Sequence, residues 1–125
     1  MMKKTLIIFL TILFQFSCGS ESCIVDPSFE ETFKQMRGLV KSDQENQGGL
    51  SNDAVRGVFY LQKLTERKSK AIIGDLSYYN SLGDYKSDMN NWNQWYKKNK
   101  CLITAEVSDS VLSLVNESTK WMDEN

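Results

Sequence analysis

Two pairs of carboxylates are spaced closely enough in this sequence to suggest acid–base chemistry. Asp84 and Asp88 lie one helical turn apart, and Glu30 and Glu31 are adjacent. A carboxylate pair can supply the proton donor and the base or nucleophile of glycoside hydrolysis. Acidic side chains also cap helices and complement the positive end of the helix dipole. We therefore predict structural roles for both pairs.

Other residue types that usually support catalysis are missing from the sequence. There is no histidine, which is the commonest general base and metal ligand in proteins. No GxSxG, HExxH or glycine-rich phosphate loop occurs. The polar stretch from Asp43 to Gly48 begins like an EF-hand loop, but its twelfth position is Ala54 instead of an acidic residue. The sequence predicts no enzyme, no cofactor and no metal site.

Three cysteines, Cys18, Cys23 and Cys101, carry the remaining chemistry. Cys18 follows the apolar N-terminal run, so processing either acylates it or removes it. That leaves Cys23 and Cys101 as an even pair, which predicts a disulfide in an oxidising compartment. A crosslink between such distant positions would stabilise the fold by about 4 to 5 kcal/mol.

The N-terminal residues have the pattern of an export signal. Lys3 and Lys4 precede an apolar run from Leu6 to Phe16. The run is well short of the roughly 20 residues that a transmembrane helix needs, so it predicts a signal peptide and no permanent span. We divide the chain into a signal peptide (1–17), an N-terminal tether (18–25) and a single α-helical domain (26–125).

The residues Gln15-Phe16-Ser17-Cys18-Gly19 resemble the lipobox of bacterial lipoproteins. A family lipobox usually has Leu where Gln15 stands here. The resemblance implies that Cys18 is lipidated and that the protein is anchored in the cell envelope, on the periplasmic side or at the surface. The alternative is ordinary cleavage after Ser20, which would give a soluble periplasmic or secreted protein.

Helix signals divide the domain into four amphipathic segments. The first starts at Asp26-Pro27 and runs to about Lys41, with an exposed turn predicted at 42–49. The second starts at Ser51 or Asn52 and ends in the basic turn 66–70, and residues 71–76 are expected to form a buried connection. The inward residues expected in these two segments are Phe29, Phe33, Met36, Val40, Val55, Val58, Phe59, Leu61 and Leu64.

The aromatic stretch 85–103 is the predicted centre of the fold, and the other helices are expected to pack on it. Asp84 is its predicted N-cap, and Ser108 is the predicted N-cap of the last helix. The residues expected on the inner faces of these two helices are Tyr85, Met89, Trp92, Tyr96, Val111, Leu114, Val115 and Met122, with Trp95 and Trp121 at the edges.

The motifs FYLQKLT (59–65) and W-x-x-W-Y-x-x-N-K (92–100) resemble the closing unit of bacterial HEAT-like helical-repeat proteins. The resemblance implies that Leu61, Leu64, Trp92 and Trp95 are core residues. It also implies that Asn99 and Lys100 end a helix. The expected fold is all-α, either a small antiparallel helical bundle or HEAT-like helix pairs, tied by one disulfide.

Charge and composition favour a protein-binding function. The formal net charge is −1, and nucleic-acid binding would require a basic face. We expect a non-catalytic accessory or immunity-type factor that binds another envelope or periplasmic protein. The alternative is a glycan-binding lipoprotein in which exposed rings stack on sugars, and the candidate rings are Trp92, Trp95, Tyr96, Tyr78 and Tyr79.

The lipobox-like motif makes a first testable prediction. Intact-mass and N-terminal peptide mass spectrometry of the protein from a bacterial host should show a mature chain that begins with acylated Cys18. A mature N-terminus at an unmodified Glu21 would contradict lipidation and support ordinary cleavage.

Overall fold

The computed structural model describes residues 23–124, and the predicted signal peptide, Cys18 and most of the tether lie outside the described residues. Within 23–124 the chain forms four α-helices and no named strand, so the all-α prediction is confirmed. The elements are α1 (Pro27–Gln47), α2 (Asn52–Thr65), α3 (Leu82–Asn99), α4 (Ala105–Ser118) and a short 3-10 turn (Lys120–Met122). No helix in this part of the chain is long and apolar enough to cross a membrane.

Helix α2, and not the aromatic helix α3, is the centre of the fold. It packs most extensively on α1 and also contacts α4 and α3. Gly57 allows this packing, because a Cβ there would lie 2.8 Å from the carbonyl oxygen of Met36 on α1. The prediction that the other helices pack on the aromatic stretch is therefore wrong, since α1 and α4 make their main helix contacts with α2.

The aromatic face of α3 is nevertheless part of the core, as predicted. Trp92 is 1% exposed, and Trp95 and Tyr96 are partly buried against the core. The ring centroids of Tyr96 and Phe33 are 4.7 Å apart in a stacked arrangement, and Arg37 on α1 donates a hydrogen bond to Asn93 on α3. These contacts attach α3 to α1.

Two of the four predicted helix caps are correct. Asp26 accepts the backbone N–H groups of Ser28 and Phe29, and Ser51 caps α2 through the N–H of Ala54. At α3 the N-cap is Ser81, and Asp84 lies in the first turn. The hydroxyl of Ser81 accepts the backbone N–H of Asp84 at 3.1 Å.

The last helix is capped by Thr104, so the assignment of Ser108 as the cap is also wrong. Ser108 is 1% exposed, and its hydroxyl lies 2.7 Å from that of Tyr60 on α2. Tyr60 is fully buried, although the sequence pattern did not place it in the core. Burial raises the pKa of the Tyr60 hydroxyl, which therefore stays protonated and available for this hydrogen bond.

Helix α1 is longer than predicted. Residues 42–47 continue α1, because Gln44, Glu45 and Gln47 are good helix formers and do not need an apolar face. The helix ends where Gly48 adopts a φ of 69°, and Asp43 accepts the backbone N–H of Ser51 at 2.7 Å. Helix α3 ends at Asn99 with Lys100 as its C-cap, as the motif at 92–100 implied, although the aromatic stretch itself extends to Ile103.

The segment between α2 and α3 is an irregular loop and not a buried connection. Glu66 ends α2 in the left-handed region with a φ of 56°, so the basic run follows the helix and is not its last turn. Ile72 and Leu76 are 41% and 80% exposed. Backbone pairing of Ile72 with Tyr78 organises this segment. The segment is therefore held by its backbone and does not depend on burial of its apolar side chains.

The predicted disulfide between Cys23 and Cys101 is present, with Cα atoms 5.8 Å apart. Asp26 strengthens the same junction, because its second carboxylate oxygen accepts the N–H of Ala105 at 2.9 Å. This hydrogen bond is the main cause of the lowered pKa of Asp26. The start of α1, the end of α3 and the start of α4 therefore meet at one end of the domain.

Burial of Trp92 leads to a stability prediction. Trp92→Ala should lower the free energy of unfolding by about 3 to 5 kcal/mol, because it removes a large ring from a packed core. Chemical denaturation followed by circular dichroism measures this loss. The control, Trp121→Ala, should cost much less, since Trp121 is already 54% exposed; equal losses would contradict the core assignment.

Candidate functional site

Asp88 is the most deeply buried of the predicted acid–base candidates, with 3% of its surface exposed. Its carboxylate accepts hydrogen bonds from the hydroxyls of Ser69 and Tyr79 and from the backbone N–H of Lys70, the last two at 2.8 and 3.1 Å. Burial and the hydrogen bond to Asp88 raise the pKa of the Tyr79 hydroxyl. Tyr79 therefore remains a donor, and Asp88 fastens the 66–80 loop to α3.

The other predicted carboxylates lie at helix starts. Asp84 is in the first turn of α3, whereas Asp88, one turn later, points into the core. Glu30 forms an ion pair with Lys34 at 2.8 Å, and the hydrogen bond from Lys34 is the main cause of the lowered pKa of Glu30. Glu31 is exposed. The structure thus gives Asp88 and Glu30 structural partners.

The five rings of the predicted glycan surface are not all available for stacking. Trp92 and Tyr79 are 1% and 7% exposed and belong to the core cluster. Trp95 and Tyr96 are partly buried and stack on Phe33. Tyr78, at 39% exposure, lies on the loop. Glycan binding stays a prediction, and it would depend on Trp95, Tyr96 and Tyr78.

A groove of about 600 Å³ lies between α2 and α4. Its apolar surface comes from Phe59, Leu114 and Val115, and Lys63 and Glu66 of α2 also line it. Leu114 is 56% exposed and Phe59 is only partly buried. The prediction that both point inward is therefore wrong for Leu114 and only partly right for Phe59.

Helix geometry explains why Phe59 lies at this groove. Phe59 and Tyr60 are consecutive, and neighbouring residues on a helix point in directions about 100° apart. Since Tyr60 is fully buried, Phe59 must lie at the margin of the inner face. On α4, Val107 and Leu114 are two turns apart and are 45% and 56% exposed, so they form an outward apolar stripe.

Among residues 23–124 no group of three or more His, Cys, Asp or Glu side chains is placed to hold a metal ion. No family model, curated protein or solved structure matches the chain. The function must therefore be argued from the side chains themselves.

Because its carboxylate accepts buried hydrogen bonds, we predict that substitution of Asp88 destabilises the fold more than substitution of Asp84. Asp88→Asn should lower the free energy of unfolding by about 2 to 4 kcal/mol, because the amide group would face hydroxyl and N–H donors in a buried site. Asp84→Asn should change it by less than about 0.5 kcal/mol, as expected for a helix-end surface position. Urea unfolding of the two variants measures the difference, and a mild effect of Asp88→Asn would contradict the anchoring role.

Proposed function

We propose that this chain is an exported helical protein, lipid-anchored at Cys18 in a bacterial envelope, which binds another protein and catalyses no reaction. An accessory factor or an immunity-type factor fits this description. The sequence Ser17-Cys18-Gly19 supports the anchor. The structural roles of Asp88 and Glu30 support a non-catalytic function, because their carboxylates are engaged in hydrogen bonds within the fold.

The groove between α2 and α4 is the observation that carries the protein-binding proposal. It combines apolar side chains with a cation and an anion, Lys63 and Glu66, beside them. Exposed apolar surface next to charged residues is typical of protein interaction sites. A groove between helices suits an amphipathic helix whose apolar face covers Phe59 and Leu114.

We further propose that the helices form a small antiparallel bundle instead of a HEAT-like repeat pair. The contacts between α2 and the C-terminal region support an antiparallel arrangement of the two segments, because residue numbers rise along α2 as they fall along its partner. Asn52 contacts Met122, Arg56 contacts Thr119 and Tyr60 contacts Ser108. The short connection between α1 and α2 also favours antiparallel neighbours. Mutual packing of α1, α2 and α4 supports a single bundle.

Site-specific photocrosslinking in the bacterial host tests the protein-binding role. A benzoylphenylalanine at Leu114 should give a discrete crosslinked product, because its side chain lies in the groove. The same residue at Asn116, which is exposed on another face of α4, is the matched control. Equal crosslinking at both positions, or none at either, would contradict the groove as the partner site.

A charge in the groove should abolish partner binding without unfolding the domain. Leu114→Asp should weaken capture of the crosslinked partner by about tenfold or more, because an unpaired carboxylate would be buried in the complex. Its melting temperature should stay near that of the wild type, since Leu114 is 56% exposed. If Leu114→Asp binds normally while Trp95→Ala loses binding to purified cell-wall glycan, the glycan alternative is favoured.

A further inference from the structure

We propose that the disulfide end of the domain docks on the surface of an anionic phospholipid membrane. The disulfide end is defined by Cys23, Ile24, Lys97, Lys98, Lys100, Cys101 and Leu102. The inference rests on the proposed envelope anchor and adds to it the face that the domain presents to the lipid.

Two apolar side chains protrude at the disulfide end. Ile24 is 91% exposed and Leu102 is 74% exposed, and each is adjacent to a cysteine of the disulfide. Because the cysteine Cα atoms are 5.8 Å apart and consecutive Cα atoms are about 3.8 Å apart, the Cα atoms of Ile24 and Leu102 are held within about 13 Å of each other. The crosslink thus keeps two water-exposed aliphatic residues at the same end of the domain.

Lysines occupy the helix end next to these groups. Lys97 and Lys98 lie in the last turn of α3, and Lys100 follows the helix directly before Cys101. Long lysine side chains can reach lipid phosphates while neighbouring aliphatic groups enter the boundary between headgroups and acyl chains. Anionic lipid surfaces attract such clusters of basic residues.

Several nearby acidic groups are already engaged. Glu30 is paired with Lys34, and the carboxylate of Asp26 accepts three backbone N–H groups. Glu31 and Glu106 remain exposed near the helix starts. Lys97 and Lys98 are exposed at this end of α3, whereas the ammonium group of Lys100 lies 5.9 Å from the centre of the Tyr96 ring.

The length of the tether selects this end of the domain. Five peptide links separate Cys18 from Cys23, and a fully extended chain of that length spans at most about 18 Å. A lipid on Cys18 would therefore keep the disulfide end close to the headgroups. The far end of α1 at Gln47 is about 30 Å further along the helix, at 1.5 Å per residue.

Fluorescence quenching by brominated lipids tests which end meets the membrane. Full chains carrying Leu102→Trp or Leu76→Trp are purified from the host envelope and reconstituted in vesicles of three parts phosphatidylcholine to one part phosphatidylglycerol, with brominated acyl chains. Leu76 is the matched control, because it is an equally accessible leucine, 80% exposed, on the 66–80 loop. Relative to the unsubstituted protein, the added tryptophan at 102 should lose about half of its emission and that at 76 should lose little.

Charge reversal tests the role of the lysines. Lys97→Glu with Lys98→Glu should remove the quenching at position 102 in anionic vesicles. Lys41→Glu with Lys68→Glu, which makes the same change in net charge at exposed positions elsewhere, should leave it intact. If both double variants behave alike, the proposal that Lys97 and Lys98 contact the lipid is wrong.

The outcomes separate this inference from the anchor itself. Vesicle flotation without quenching at position 102 would overturn the docking surface and leave the anchor standing. Failure to float at all would overturn both. Equal quenching at 102 and 76 would also overturn the inference, as would a stable dimer by light scattering in which Leu102 is shielded without lipid.

Discussion

The close approach of α1 and α2 at Gly57 is the constraint on which the remaining packing depends. With only a hydrogen on its Cα, Gly57 lets the two backbones come together near the carbonyl of Met36. This contact brings the apolar faces of the two helices side by side, so that Phe33 and Leu61 belong to one cluster. Helix α3 covers that surface with Trp92 and α4 covers it with Val115. A larger residue at position 57 would separate the helices and uncover the ring packing.

Two buried polar contacts then fix the elements that hydrophobic packing alone would leave free to slide. Burying a hydroxyl or carboxylate is costly unless it finds a partner. The pair Tyr60–Ser108 sets α4 against α2, and Asp88 binds both ends of an irregular loop through Ser69 and Tyr79. These contacts give the small core a definite arrangement.

The sequence predicted the features whose signals are local or compositional. Asp26-Pro27, the aromatic stripe through Trp92 and the Cys23–Cys101 pair are of this kind. The caps of α3 and α4 were assigned to Asp84 and Ser108 instead of Ser81 and Thr104, because these residue types have similar capping preferences. Residues 42–47 carry no apolar period, so the length of α1 was not readable.

The candidate groove shows the same limit. Phe59 and Leu114 were singled out, but an apolar residue at the margin of a helix stripe looks the same in sequence whether it is covered or exposed. Only the positions of α2 and α4 relative to each other leave Leu114 open to solvent. Tyr60 was missed because its neighbour Phe59 was assigned to the same inner face.

Asp26 has a consequence for the order in which the chain can fold. Its single carboxylate caps the start of α1 and also accepts the backbone N–H of Ala105 at the start of α4, and Cys23 pairs with Cys101 beside it. Contacts between neighbours in sequence, such as α1 with α2, lose little chain entropy when they form, whereas a contact over 78 residues closes a long loop and forms more slowly. The α1–α2 pair can therefore form early, as soon as the N-terminal half of the chain is available. The hydrogen bond from Ala105 to Asp26 and the disulfide form only later, when residue 105 can approach residue 26.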